Sequence, residues 1–194
     1  MIFEGVVVTL GADGTPHVTP LGCRREGGYT LLAPFRPSRT LENLAQSRVA
    51  TMNYLDDVRV FAGALTGHRG FALVACGEFP VPRLDSALTV DCLRVERVVE
   101  DALRPTFFMA TERSECVAPF RGFNRAQAAV VEAAILYSRV HMLSREKIEQ
   151  ELSLHAIAVT KTAGERELEA WEWLMAGFAE QGIRGTAMPA RVSS

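Results

Sequence analysis

The stretch PFRPSRTLENLAQ, residues 34–46, ends a strand-rich beginning and contains the first predicted helix. Its prolines interrupt the preceding strand, because proline cannot donate to a β-ladder. Ser38 is a residue type favoured at a helix N-cap. Leu41 and Leu44 lie three residues apart, which places them on one helical face. The stretch therefore predicts a capped helix over residues 39–46 with both leucines facing inward.

Short strands are predicted on both sides of this helix. They cover residues 2–10, 15–23, 29–33, 48–55, 70–77, 88–100 and 104–112. The Asp13-Gly14 pair predicts a tight hairpin turn between the first two, because Asp-Gly readily takes a positive φ. Pro16 and Pro20 make the second strand an edge or a bulged strand. Val95 and Val98 are out of phase with the alternation of their strand, which predicts a β-bulge.

Three connecting segments are predicted between these strands. Residues 24–28 are expected to form a turn, and Pro80 and Pro82 are expected to mark a loop. Asp56 or Asp57 is expected to cap a short helix that runs through Leu65 and ends at Gly67.

After Asn124 the apolar residues recur at intervals of three and four positions, instead of the interval of two that is typical of strands. The predicted helices there cover residues 126–140, 144–155 and 165–181. A chain in which the strands come before the helices is typical of an α+β fold. The expected organisation is a strand-rich part over residues 1–123, a helical segment over residues 124–184 packed on it, and a tail over residues 185–194.

Composition excludes several classes of protein. The 194 residues are 48% hydrophobic with a net charge of -2, which argues against disorder and disfavours a nucleic-acid partner. No apolar run is long enough to span a membrane, and the beginning MIFEGVVVTL does not resemble a signal peptide. The cysteines form no C-x-x-C pair, and the histidines lack a metal-ligand spacing. We therefore expect a reduced, cytoplasmic protein without a metal site.

The start of the predicted helix at Ser38 has the chemistry of an anion site. The first turn of a helix carries free N–H groups and a partial positive charge. The side chains expected to contribute are those of Arg36, Ser38, Arg39 and Thr40. Together they predict a phosphate site, and the alternative is a plain capped helix with solvated arginines.

The strand around Pro16 and Pro20 suggests a second element of a binding site. An edge strand leaves backbone donors and acceptors unpaired, and a flat heteroaromatic ring could dock against them. Gly22 would allow close approach of such a ring. The alternative is an ordinary edge strand.

These features together resemble the FMN-binding split β-barrel superfamily, which includes flavin reductases. The similarity lies in the Asp-Gly hairpin, the Ser-Arg-Thr helix start at residues 38–40 and the following strand VATMNYL, residues 49–55. PFRGFNRA at residues 119–126 and KTAG at residues 161–164 are similar to one branch of it, the domain of unknown function 447. The resemblance implies a split β-barrel with a C-terminal helical segment, and a homodimer with FMN at the subunit interface.

The resemblance also implies roles for individual residues. Ser38, Arg39 and Thr40 would hold the phosphate of FMN, with Asn43 one turn further on. The other implied contacts are Thr19, Leu21 and Gly22 at the isoalloxazine edge, Asn53 at the ring or ribityl chain, and Lys161 and Thr162 at the phosphate or a substrate. His17 is either a proton donor beside the flavin or a half-exposed strand residue.

The predicted function is that of an FMN-dependent oxidoreductase acting on a small redox partner, and a nicotinamide donor, if used, would stack transiently on the flavin. No side chain is predicted to be a catalytic acid or base, and neither a nucleophile elbow nor a Rossmann glycine motif occurs. Two alternatives remain. One is a non-catalytic FMN carrier or sensor, and the other is a dimeric interaction module with an empty site.

Overall fold

The computed structural model describes residues 1–184, so the predicted tail lies outside the described residues. The chain divides into two compact units. The first contains Met1–Asp56 and Phe71–Phe120, and the second contains Asp57–Gly70 and the chain from Arg121 onward. The predicted packing of a helical segment on residues 1–123 stays a prediction.

The first unit consists of strands and one helix. Its elements are β1 (Ile2–Phe3), β2 (Val6–Leu10), β3 (Pro16–Pro20), β4 (Cys23–Glu26), β5 (Tyr29–Leu32), α1 (Arg39–Ser47), β6 (Val49–Leu55), β7 (Leu73–Cys76), β8 (Phe79–Leu84), β9 (Ala87–Val99) and β10 (Thr106–Cys116). Eight of the strands form one antiparallel sheet in the order β1-β4-β5-β10-β9-β6-β2-β3, and β7 and β8 form a separate hairpin.

The connections of this sheet require it to curl into a barrel. Strands β1 and β2 are six positions apart in the sheet order, and so are β3 and β4, yet each pair is joined by only two residues. Six strand spacings in a flat sheet measure about 29 Å, whereas such a link reaches about 11 Å. The two links meet where the Leu21 N–H donates to the Gly5 carbonyl at 3.0 Å. The predicted α+β split barrel is therefore confirmed.

Helix α1 packs its apolar face into the core of this barrel. Leu41 and Leu44 are buried in one cluster with side chains from the inward faces of the strands, as predicted. The strand residues of this cluster include Val7, Leu32, Ala50, Met52, Leu93, Phe107 and Met109.

Several local predictions for the sheet are confirmed. Strand β3 lies at the end of the sheet order, so it is an edge strand. The register between β9 and β10 shifts between Phe108 and Met109, where Arg97 and then Val95 are the partners. Glu96 is therefore the extra residue of a bulge.

Other local predictions are wrong. The first predicted strand breaks at Glu4 and Gly5, because the chain crosses there from β1, first in the sheet order, to β2, seventh in that order. Residues 24–26 of the predicted turn belong to β4. Pro80 and Pro82 lie in β8 instead of a loop, because a strand of a two-stranded hairpin has one free edge where missing donors are tolerated.

The second unit is helical. It contains α2 (Arg59–Thr66), α3 (Arg125–Ser138), a 3₁₀ turn at Val140–Met142, α4 (Arg145–Thr162) and α5 (Glu165–Glu180). Helix α4 runs seven residues beyond its predicted end at His155, since Ala156 and Val159 continue its buried face. Trp171 is fully buried on α5, whereas Trp173 stacks on His68 with ring centroids 4.2 Å apart.

Asp57 fixes the start of α2 from outside the helix. Its carboxylate accepts hydrogen bonds from the backbone and the guanidinium of Arg59. Burial alone would raise the pKa of Asp57, but these bonds and the charge of Arg59 hold it below its usual value. Gly67 ends the helix with φ of 91°, as predicted.

We expect Gly177→Ala to destabilise the protein, although this substitution usually stabilises a helix by up to about 1 kcal/mol. A Cβ at Gly177 would lie 2.8 Å from the ring of Tyr137. Overpacking of this kind lowers the free energy of unfolding by about 1–3 kcal/mol, which urea denaturation measures. In a Tyr137→Ala background the ring is gone, so the same substitution should be stabilising. The same sign in both backgrounds would contradict this explanation.

Candidate functional site at the start of helix α1

Helix α1 begins with two backbone donors that its own capping leaves free. Ser38 has an extended backbone, and its Oγ accepts a hydrogen bond from the Leu41 N–H at 3.3 Å. The Glu42 N–H donates to the Ser38 carbonyl at 3.1 Å. Within residues 1–184, no intrahelical acceptor takes the N–H groups of Arg39 and Thr40. These two donors, with the helix dipole, attract an anion.

The side chains at this helix start add a positive charge and hydroxyl groups. Thr40 is only 3% exposed, whereas Arg39 is exposed. The guanidinium of Arg39 lies beside the β2–β3 hairpin, with Nη2 3.8 Å from the position that a Cβ would take at Gly11. The site therefore includes both the helix start and this hairpin.

Asp13 lies in the turn of this hairpin and carries a negative charge. Its carboxylate accepts hydrogen bonds from the backbone N–H and the hydroxyl of Thr15, at 2.9 and 2.8 Å. These bonds lower the pKa of Asp13, and the charge of Arg39 adds to the effect. The turn that presents Asp13 is thereby fixed in the place where the sequence predicted a hairpin.

Asn43 holds α1 against the barrel. It is 5% exposed, and its Nδ2 donates to the Oγ1 of Thr9 on β2 at 2.9 Å. This buried hydrogen bond fixes the rotation of the helix, and with it the direction of its first turn. Asn43 therefore orients the helix start from the side away from solvent.

Arg36 is engaged away from the helix start. Its guanidinium forms an ion pair with Glu100 at 3.1 Å, and its backbone N–H donates to the Leu103 carbonyl. The peptide bond between Arg36 and Pro37 is cis. The structure thus brings together Ser38, Arg39 and Thr40, but directs Arg36 to the connection between β9 and β10.

Thr19, Leu21 and Gly22, which are predicted to line the flavin edge, differ from one another in their surroundings. Thr19 is half-buried on the edge strand, with its Oγ1 2.7 Å from Nε2 of His17. The N–H of Leu21 is used by the Gly5 carbonyl, and the side chain of Leu21 packs on the barrel core. A Cβ at Gly22 would lie 2.9 Å from the side chain of Ile2. Leu21 and Gly22 therefore serve barrel closure, and Thr19 keeps a polar group at the edge.

Asn53 is fully buried and its amide is saturated with hydrogen bonds. Nδ2 lies within hydrogen-bond distance of the Val6 carbonyl and of both oxygens of Thr51. Oδ1 accepts from the Leu84 N–H at 2.9 Å. Asn53 therefore fastens β8 to one face of the sheet. Neighbouring residues of a strand point to opposite faces, so this face is the one opposite Met52 and α1.

Lys161 and Thr162 belong to the second unit. They form the last turn of α4, and the Thr162 Oγ1 accepts from the Ala126 N–H at 3.1 Å. The Thr162 carbonyl accepts from the Nδ2 of Asn124, whose Oδ1 caps α3. Thr162 and Asn124 thus connect the end of α4 to the start of α3.

A buried carboxylate in the barrel was missed by the sequence predictions. Asp91 is 1% exposed and accepts hydrogen bonds from Arg25 at 2.7 Å and Ser114 at 2.6 Å. Tyr54 donates to the same carboxylate at 3.3 Å, and burial raises the pKa of its hydroxyl. A lone acid between apolar residues, as in TVDCL at residues 89–93, is the only local signal of this cluster.

Residues 1–184 contain no group of three or more His, Cys, Asp or Glu side chains that could hold a metal ion. None of the helices described there has the length and apolar character that crossing a membrane requires.

The fold and its connections define the class of the protein. Its curled antiparallel sheet with additional helices is a flavin reductase-like split barrel. The model for the N-terminal domain of a protein of unknown function (DUF447) matches residues 3–118, and a second model of the same description matches residues 124–176. The chain therefore belongs to the DUF447 family, as the resemblance implied. No curated protein matches its sequence.

Solved structures show the same fold. The FMN-bound protein MM1853 from Methanosarcina mazei, also matched by the DUF447 model, has a TM-score of 0.77 and 20% identity over 91% of this chain and 94% of its own. The 2-nitrobenzoate 2-nitroreductase NbaA of Pseudomonas fluorescens has a TM-score of 0.51 and 17% identity over 58% of this chain and 64% of its own. The styrene monooxygenase flavin reductase of Pseudomonas putida S12 has a TM-score of 0.51 and 14% identity over 59% and 81%.

We expect Asn53→Ala to lower the free energy of unfolding by about 1–3 kcal/mol, because it leaves the buried Leu84 N–H without its acceptor. Urea denaturation measures this change. Thr89→Ala, at a half-buried position on the neighbouring strand β9, serves as the control. A loss no larger than about 0.5 kcal/mol for Asn53→Ala would show that the amide does not fasten β8.

Proposed function

We propose that this protein binds FMN and that the start of α1 holds the phosphate of the cofactor. The observation that carries the proposal is a helix start where two N–H groups lack an intrahelical acceptor and where the neighbouring residues are Ser38, Thr40 and the exposed Arg39. The FMN-bound protein from Methanosarcina mazei, which shares the fold and the family model, supports FMN as the ligand.

The donor set fits a phosphate monoester. Backbone N–H groups at a helix start, hydroxyl groups and a guanidinium all donate hydrogen bonds to phosphate oxygens. Ser38 Oγ accepts from Leu41, which leaves its O–H free to donate outward. Thr40 is buried, so little conformational freedom of its side chain remains to be lost when a ligand binds.

The remaining predicted contacts divide according to their surroundings. Asn43 orients α1 through Thr9, so we propose a positioning role for it. Thr19, with His17 beside it, is the polar group that we propose for the isoalloxazine edge. Leu21, Gly22 and Asn53 are engaged in the barrel itself, and Arg36 is paired with Glu100. We therefore leave these four out of the proposed cofactor contacts.

We further propose that the protein is an oxidoreductase acting on a small redox partner. Bound FMN supplies one- and two-electron chemistry. The role of the chain is to hold the phosphate at α1 and to place polar groups such as the Thr19 hydroxyl beside the ring. The flavin reductase and the nitroreductase that share the fold support this class of activity. A homodimer that completes the site is part of the same proposal, with sedimentation velocity as its test.

The double variant Arg39→Ala, Thr40→Ala should lose FMN. Removing a charged hydrogen-bond partner costs about 1.5–3 kcal/mol, so Kd should rise at least roughly tenfold. Quenching of flavin fluorescence during titration of the apoprotein with FMN measures Kd. Arg36→Ala is the matched control, because its guanidinium is paired with Glu100 and Kd should change little. Unchanged affinity in the folded double variant would remove the phosphate site from α1.

Anaerobic reduction separates the enzyme from the alternative of a carrier or sensor. The FMN-loaded protein is mixed with NADH or NADPH, and the loss of flavin absorbance is followed. We expect reduction faster than that of free FMN at the same concentration. If bound FMN is reduced no faster than free FMN by either nucleotide, a nicotinamide-dependent reductase is ruled out, and a carrier or sensor becomes the favoured function.

A further inference from the structure

Two cysteines on the outer face of the barrel sheet point at each other. Cys76 ends β7 of the separate hairpin, and Cys92 lies in the middle of β9. Their Sγ atoms are 3.1 Å apart, and both side chains are buried beside Val90 and Phe79. Both cysteines are free thiols in this structure.

We propose that Cys76 and Cys92 are a reversible dithiol–disulfide site that reacts with small-molecule disulfides. A disulfide bond is about 2.05 Å long, so the two sulfur atoms need to approach by only about 1 Å. A displacement of this size is within the range of side-chain rotation.

The geometry selects this pair among the four cysteines of the chain. Cys23 lies in the barrel core, with its Sγ 3.5 Å from the Tyr54 hydroxyl. Cys116 is exposed at the end of β10. Oxidation of Cys116 would therefore link two molecules, whereas oxidation of Cys76 and Cys92 stays within one.

The chemistry proceeds by two thiol–disulfide exchanges. The thiolate of Cys76 attacks one sulfur of the small-molecule disulfide, forms a mixed disulfide and releases one thiolate. Cys92 loses its proton and attacks the Cys76 sulfur, which forms the protein disulfide and releases the second thiolate. The protein dithiol loses two electrons and two protons, and the small disulfide gains them as two thiols.

Cys76 is the entry point because of its place in the hairpin. It directly precedes the exposed turn residues Gly77 and Glu78, at the end of the hairpin away from the hydrogen bonds that hold β8 to the sheet. Cys92 lies in β9, between β6 and β10, where access requires a larger opening. Burial raises the pKa of Cys92 to about 12, so it reacts second, once Cys76 carries the mixed disulfide.

A positive charge lies next to the pair. Arg113 is opposite Cys92 in the register of β9 and β10. Its Nη1 lies 2.5 Å from the position that a Cβ would take at Gly77, so the guanidinium covers the turn after Cys76. Arg113 is paired with Glu115, and its charge opposes part of the rise in the pKa of Cys92 that burial causes.

The bond would fix the hairpin to the sheet at a second place. At its other end the hairpin is already held by two hydrogen bonds. The Leu84 N–H donates to the side chain of Asn53, and the Thr51 hydroxyl donates to the Pro82 carbonyl. The disulfide adds a covalent link from the turn end of the hairpin to β9. Redox state thereby controls how firmly the hairpin covers this face of the barrel.

The test uses the full chain carrying Cys116→Ser, which removes intermolecular bonds. The protein is incubated with oxidised glutathione, denatured, alkylated with N-ethylmaleimide and analysed by mass spectrometry. We expect one alkylated thiol, a loss of the mass of two hydrogen atoms, and a linked peptide containing Cys76 and Cys92. We also expect Tm to rise by roughly 6–12 °C, and reduced glutathione to reverse both changes.

Two further variants decide which thiols react. Cys92→Ala in the same background should stop at a glutathione adduct on Cys76, with no rise in Tm. Cys76→Ala should leave Cys92 unmodified. If Cys76 and Cys92 both remain alkylatable after incubation with oxidised glutathione, or both end as separate glutathione adducts, the proposal is wrong. Far-UV circular dichroism verifies that each variant is folded.

Discussion

Closure of the barrel through two short links is the constraint on which the other features of the first unit depend. Each link has two residues and joins strands six positions apart in the sheet order. Links this short allow little freedom in the path of the chain, so their residues are packed tightly. The Leu21 N–H bonds to the Gly5 carbonyl, and a Cβ at Gly5 would clash with Cε of Met52. The β2–β3 hairpin that follows the first link is therefore placed by closure.

The placement of α1 follows from the same barrel. Leu41 and Leu44 fill the core beneath the helix, and the bond from Asn43 to Thr9 sets its rotation on β2. A helix held from below by buried contacts presents its first turn in a fixed direction. Because Thr9 and the hairpin beside Arg39 both belong to the β2–β3 region, the helix start and the hairpin form one rigid surface.

Local signals in the sequence predicted local structure well. The Ser38 cap, the Asp13-Gly14 turn and the bulge beside Val95 each depend on a few neighbouring residues, and all are present. The resemblance supplied the split barrel, which no local pattern contains. The prediction for Pro80 and Pro82 failed because a hairpin strand with one free edge tolerates missing donors. The bonds of Asn53 and the approach of Cys76 to Cys92 depend on which strands face each other, and spacing along the chain does not encode this.

Hydrogen-bond saturation distinguishes the polar residues that build this barrel from those available to a ligand. The amide of Asn53 uses both its oxygen and its nitrogen inside the protein, and the Asp91 carboxylate accepts from three side chains. Such groups have little left to offer a cofactor without giving up bonds that the fold needs. The N–H groups of Arg39 and Thr40 are donors whose helical position deprives them of an internal acceptor. A ligand phosphate there would satisfy groups that otherwise depend on water, so binding at α1 costs the barrel no internal hydrogen bond.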